Sequence, residues 1–155
     1  SGFLRDTRGT GVINSVITGF QPMTGQVKAS TTGVLVASEA GTAITFGLLN
    51  AQGRGETFVE PGTPVYEGMI VGENARSDDM PVNVTKEKKL TNMRTTASDE
   101  NIKLEPPRQV TLELALEFIE EDELIEVTPD GIRLRKRVLD TIQRKKAAKA
   151  SNQSA

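Results

Sequence analysis

The stretch Glu60-Pro61-Gly62-Thr63-Pro64-Val65-Tyr66-Glu67-Gly68-Met69-Ile70-Val71 decides the fold class of this chain. Pro61-Gly62 and Glu67-Gly68 are turn signals, the first pairing a fixed φ with a permissive one, and they separate two short apolar runs. Extended segments joined by tight turns follow. The pattern continues outward: residues 34–36, 43–49, 58–59 and 82–84 are further short apolar runs between turn residues. A compact β-rich body over residues 33–84 is expected, as a curled sheet or a small barrel, either of which absorbs exposed strand edges. Residues 43–52 fit two periods, because Ile44, Leu48 and Ala51 have helical spacing while Ile44, Phe46 and Leu48 alternate. We read this piece as a short helix.

Downstream, Thr111 is a plausible N-cap, and Leu112, Ala115, Leu116 and Ile119 follow at helical spacing, giving an amphipathic helix that packs on the sheet. Residues 124–127 resume an extended segment. Thr128-Pro129 then offers a second N-cap with Pro at the first helical position, and Ile132, Leu139 and Ile142 can share one face of a closing helix. The fold class is therefore α+β: a β-rich body with one or two packed helices.

At the other end, Val12, Ile13, Val16, Ile17 and Phe20 form a β-branched run after a glycine-containing turn. A lone strand cannot bury both faces, so its partners lie either upstream of Ser1 or in the next domain's sheet. The first option makes the chain a fragment. Residues 23–32 are small and polar, as a linker would be, which puts a domain boundary near Gly25.

Composition narrows the chemistry. The chain of 155 residues has no His and no Cys, which removes the commonest neutral-pH base, imidazole and thiolate metal ligands and every Ser-His or Cys-His pair. The carboxylates Glu120-Glu121-Asp122-Glu123 are consecutive, so on a helix they point apart and do not converge on one substrate atom. No phosphate-cradling G-x-x-x-x-G-K-[ST] is present. Aromatics are only 4% with no Trp, so base-stacking aromatic platforms are not expected. The absence of Cys fits a reducing cytosol, and no apolar run of membrane-spanning length or signal peptide is seen, so a cytoplasmic protein without a membrane partner is expected.

Two basic regions stand out against a net charge of -2. Residues 85–101 have almost no apolar periodicity and are long for a loop, and they carry Lys86, Lys88, Lys89 and Arg94 with Thr91 and Asn92 among them. Such a loop is either a solvated surface segment or a phosphate-reaching one. Between Asp130 and Ala150, eight Lys or Arg residues stand against two Asp, a local +6 that suits a phosphate backbone. That set includes Arg133, Arg135, Lys136 and Arg137.

Four motifs, in order, carry a resemblance. They are Phe3-Leu4-Arg5-Asp6-Thr7-Arg8-Gly9-Thr10-Gly11, Val65-Tyr66-Glu67-Gly68-Met69-Ile70-Val71-Gly72-Glu73, Lys88-Lys89-Leu90-Thr91-Asn92-Met93-Arg94 and Ile132-Arg133-Leu134-Arg135-Lys136. They resemble the C-terminal portion of the BipA (TypA) family of bacterial translational GTPases, related to elongation factor G. The resemblance runs from Phe3 to about Arg144. It implies that residues 1–25 are the tail of an elongation-factor-G-like fifth domain of ferredoxin-like fold and that residues 26–145 are the family-specific C-terminal domain; residues 146–155, which follow no family pattern, are expected to be a flexible tail. It further implies a ribosome-dependent factor of stress adaptation and large-subunit assembly, whose GTP and Mg site lies in an N-terminal domain outside this chain. No cofactor, metal or catalytic residue is expected here, and the chain is not expected to be an enzyme by itself. By matching position, the loop would reach toward A-site tRNA and rRNA near the peptidyl-transferase region of the large subunit. Glu87 departs from the family pattern and weakens the loop's attraction for phosphate.

Two readings follow. In the first, Lys86, Lys88, Lys89, Thr91, Asn92, Arg94, Arg133, Arg135, Lys136 and Arg137 bind RNA, with the β body as scaffold. In the second, the acidic 120–123 edge holds a ribosomal protein or another domain of the same chain.

Overall fold

The computed structural model describes residues 7, 10–20, 32–87 and 103–153, apart from the side chains of 148 and 151–153. Its elements are β1 (Val34–Ala37), β2 (Gly41–Thr42), α1 (Thr45–Gln52), β3 (Gly55–Thr57), β4 (Pro64–Val65), β5 (Met69–Asn74), β6 (Met80–Val82), α2 (Leu112–Phe118), β7 (Glu123–Thr128), β8 (Gly131–Lys136) and α3 (Thr141–Gln153). The fold is α+β, with a mixed open sheet and, among the described residues, no closed barrel.

The main sheet runs β6-β1-β5-β8-β7, with β3 also on β5. One edge of β5 is taken by β1. The other is shared: β3 pairs with Gly72, Glu73 and Asn74, and β8 pairs with Met69 and Ile70. β1 and β5 thus lie in the middle with both faces covered. Their sequences show why. In β1, Leu35 and Ala37 enter one core while Val34 and Val36 enter the other, and in β5 Met69 and Val71 oppose Ile70 in the same way. A strand buried on both faces reads as a continuous apolar run, which is what Val34-Leu35-Val36-Ala37 is.

The first core adds Leu48 and Ala51 from α1, Val65 from β4, Val82 from β6, and Val59 and Val84 from the connecting chain. Full burial of one such side chain is worth about 1.5–3 kcal/mol. The second core packs α2 through Ala115, Phe118 and Ile119 over Ile70 and Leu134, with Phe58 and Phe118 edge to face at 5.5 Å. The expected N-cap is present, since Thr111 Oγ1 accepts from the Leu114 amide. The buried face of α2 is not quite the expected one: Leu112 and Leu116 are exposed, and the helix turns Ala115, Phe118 and Ile119 inward.

The closing helix is a larger correction. Thr128-Pro129-Asp130-Gly131 is not a helix start but the turn of the β7–β8 hairpin, in which the Thr128 hydroxyl donates to the Gly131 carbonyl at 2.8 Å and Gly131 has φ +149. Residues 131–136 are a strand because Ile132, Leu134 and Lys136 alternate with Arg133, Arg135 and Arg137, a period of two. Helix begins only at Thr141.

The apolar run over residues 10–20 forms no strand, and it does not join the main sheet. Val12, Ile13, Val16, Ile17 and Phe20 are all largely exposed.

Candidate nucleic-acid interface

The β8 alternation sorts the basic residues expected at this surface. Lys136 points into the fold on the Leu134 side and is buried, its Nζ 2.6 Å from Asp79 Oδ2, 3.0 Å from Asp122 Oδ2 and 2.8 Å from Glu123 Oε1. Burial alone would depress its pKa, but the hydrogen bonds to Asp79, Glu123 and Asp122 outweigh that and hold it above the ordinary lysine value. Glu123 is pushed up by its own burial, with Lys136 opposing the shift. Lys136 is therefore a structural cation, and the expectation that it meets phosphate at the surface does not fit its position.

On the other side of β8, Arg135 is half-buried, with Nε 2.7 Å from Glu126 Oε1. The second oxygen of Glu126 accepts from the Tyr66 hydroxyl at 2.6 Å. Burial and that carboxylate push the Tyr66 phenol above its usual value. Arg133 is half-buried and Arg137 is exposed. Of the four candidates, three on β8 and Arg137 just after it, only Arg133 and Arg137 thus lack an ion pair to a carboxylate among the described residues.

Helix α3 adds cations that lie beyond the expected set. Its first turn is tied down, because the Thr141 amide donates to Glu67 Oε1 at 2.8 Å and the Gln143 amide to Asp140 Oδ1 at 2.8 Å. Arg144 folds back on this turn, donating to the carbonyls of Val138 and Leu139 and to Thr141 Oγ1. Lys145, Lys146 and Lys149 are exposed.

Of the long basic segment, Lys86 is described and exposed, whereas Lys88, Lys89, Thr91, Asn92 and Arg94 lie outside the described residues. Its two stems are both anchored on α1. At the entry, the Ile44 amide donates to the Val84 carbonyl at 3.0 Å, at the helix N-cap. Asn83 Oδ1 then accepts from the amide and hydroxyl of Thr85, closing a local turn. At the exit, Gln52, the last residue of α1, donates to the Glu105 carbonyl at 2.8 Å and accepts from the Glu105 amide at 3.0 Å. Next to it, the Arg108 amide donates to Thr57 and its guanidinium pairs with Glu73 at 2.7 Å and Glu56 at 3.3 Å. Asn83 carries a local signal, its spacing to Thr85. The contacts of Gln52 with Glu105 and of Arg108 with Glu73 carry none, because those partners lie 53 and 35 residues away.

The acidic edge is split by the same geometry. Glu120 and Glu121 are exposed, while Glu123 is buried and Asp122 gives both oxygens to Lys136. Among the described residues no His, Cys, Asp and Glu cluster is arranged to hold a metal, and no helix is long and apolar enough to cross a membrane.

The sequence profile of the TypA/BipA C-terminal domain matches residues 32–141. Proteins named large ribosomal subunit assembly factor BipA are similar along nearly all of the chain. The one from Bacillus subtilis is 49% identical over 148 residues, 95% of this chain and 24% of its own length. That from Synechocystis is 46% identical over 147 residues, again 95% of this chain and 24% of its own length. That from Escherichia coli K12 is 45% identical over 151 residues, 97% of this chain and 25% of its own length. The chain thus spans about a quarter of the length of these curated relatives. With the β5 and β8 motifs lying on adjacent paired strands and the profile covering residues 32–141, well over half of the chain, the chain belongs to the TypA/BipA C-terminal domain family.

Proposed function

We propose that this chain is the ribosome-docking C-terminal module of a translational GTPase acting in large-subunit assembly and stress adaptation, and that it docks by binding RNA. Segment 85–101 would reach toward rRNA and A-site tRNA, and GTP hydrolysis would belong to the remaining three quarters of the full-length protein. The observation that carries this reading is the sorting of basic residues. Lys136 and Arg135 serve carboxylates, whereas Arg137, Lys145, Lys146 and Lys149 are exposed where β8 leads into α3, and Lys86 stands exposed at the stem of the basic segment. Exposed cations make salt-sensitive phosphate contacts. The name borne by the relatives, large ribosomal subunit assembly factor, supports the same direction. The acidic 120–123 edge is the weaker candidate, since Asp122 and Glu123 already serve Lys136 inside the fold.

Co-sedimentation of the chain with large ribosomal subunits across a salt series tests this. The wild type should pellet at low salt and detach steeply as salt rises. Changing Lys86, Lys88, Lys89 and Arg94 together to Ala should weaken binding and flatten the salt slope by about 0.7–0.9 for each phosphate that is no longer neutralised. Binding that survives this change but responds to Glu120 and Glu121 reversal would favour a protein partner.

A further inference from the structure

A cleft of about 480 Å³ opens between α3 and the β6–β1 edge of the sheet, lined by Val36, Asp79, Pro81, Asp122, Val138, Thr141, Arg144, Lys145 and Ala147. We propose that this cleft binds a nucleotide, base and phosphate together, either as an unpaired nucleotide of an RNA strand or as a free one. None of its lining residues belongs to segment 85–101, so variants here test it independently of the role proposed for that segment above.

The volume falls in the range of small-molecule sites, roughly 300–1,000 Å³. Its lining has three chemically distinct parts. Val36, Pro81, Val138 and Ala147 supply apolar surface. At one end stand the carboxylates of Asp79 and Asp122, 44% and 62% exposed, held in place from below by buried Lys136. Asp79 uses one oxygen for the Val34 amide and one for Lys136, and Asp122 spends both on Lys136. A carboxylate has about four acceptor sites, so each retains capacity for further donors. On α3 stand Lys145, exposed, and Arg144, whose guanidinium is pinned by Val138, Leu139 and Thr141 and so lines the cleft as a fixed planar group.

Each simpler ligand meets a mismatch. A basic side chain that suits Asp79 and Asp122 meets Arg144 and Lys145. A bare anion that suits Lys145 meets the two carboxylates. An apolar molecule leaves both charged ends unserved. What satisfies all three parts is a flat, largely apolar body with N–H donors on its edge and an anionic group attached, which is the constitution of a nucleotide. Bases stack on guanidinium planes as well as on aromatic rings, carboxylates accept from base amino and imino groups, and lysine takes the phosphate. This also removes the objection raised by the scarcity of aromatic residues. Guanine, with two adjacent N–H donors, should be preferred over uracil, with one.

The test follows amide resonances of Asp79, Asp122, Lys145 and Ala147 in the 155-residue chain during titration with guanosine monophosphate, uridine monophosphate, inorganic phosphate and a short single-stranded RNA. Ala147→Trp fills the cleft from an exposed helix position, and Lys145→Ala removes the phosphate contact. An unchanged thermal midpoint confirms that either variant is folded. The expected result is saturable binding that both variants weaken by about tenfold or more. Saturation by the mononucleotide identifies a free nucleotide as ligand, and saturation by the RNA alone identifies an unpaired nucleotide within a strand. The proposal is overturned if inorganic phosphate shifts the same resonances as strongly as the nucleotides, if Ala147→Trp leaves binding unchanged, or if no probe binds.

Discussion

The ammonium of Lys136 stands 2.8 Å from a carboxylate oxygen of Glu123, and both side chains are 1% exposed. Two opposite charges are thus taken out of water together, and the same ammonium reaches forward to Asp79 before β6 and Asp122 before β7. The contact ties the β7–β8 hairpin to the opposite edge of the sheet.

Removing one member should be costly. Lys136→Met leaves Glu123 buried without its cation, and a loss of about 3–5 kcal/mol is expected in urea unfolding. The double change Lys136→Met with Glu123→Leu should recover most of that loss, because an apolar pair of similar volume carries no desolvation penalty. A single-variant loss below about 1 kcal/mol would mean the pair is hydrated and the cluster unimportant.

The cluster also sets an alkaline dependence. Lys136 has a folded-state pKa above its unfolded value, so its contribution is complete below the unfolded value and is lost as pH rises through the folded one. Wild-type stability should therefore fall more steeply than that of Lys136→Met once pH passes about 10.4, the ordinary lysine value. Glu123, also raised, works at the other end: its contribution is greatest below the ordinary glutamate value and declines as pH rises through its folded pKa. Urea midpoints at a series of pH values, in wild type, Lys136→Met and Glu123→Gln, check both signs.

Gly47 lies inside α1, where Ala would ordinarily be better by about 1 kcal/mol. Here a Cβ would come within 2.3 Å of the Val84 carbonyl oxygen, so Gly47→Ala should destabilise the chain by about 1–3 kcal/mol instead. It should also speed amide exchange at Ile44, whose N–H bonds that carbonyl. Gly53 is the control: its φ of −65 is ordinary and an added Cβ meets nothing closer than 3.6 Å, so Gly53→Ala should be neutral or stabilising by about 0.4–1 kcal/mol.

Gln52→Ala removes both hydrogen bonds to Glu105 and should cost about 1 kcal/mol while accelerating exchange of the Glu105 amide. Gln52→Glu keeps an acceptor for that amide but sets a carboxylate against the Glu105 carbonyl. If neither change alters exchange at Glu105, the exit stem of the basic segment is held by Arg108 and Thr57 alone.

Much of the architecture was legible from local pattern. The turns at Pro61-Gly62 and Glu67-Gly68, the double-sided apolar runs of β1 and β5, the short helix after Ala43 and the Thr111 cap all depend on neighbours within a few residues, so their sequence signals survive folding. The misreading of Thr128-Pro129 has the same root. Those residues suit a helix start and a hairpin turn equally, and only the two-residue alternation from Ile132 to Arg137 decides between them, an alternation hidden when charge is counted without regard to face.

What the sequence by itself determined is the inventory: an α+β body, no imidazole or thiol, and two regions dense in Lys and Arg. Only the tertiary structure decided what each cation does. Lys136 and Arg137 are adjacent and similar in charge, yet successive residues of a strand point to opposite faces, so one is buried among three carboxylates and the other stands in solvent. Of the three carboxylates, Asp79 comes from before β6, a distant point in the chain, and no local pattern encodes a contact that exists only once the sheet has formed.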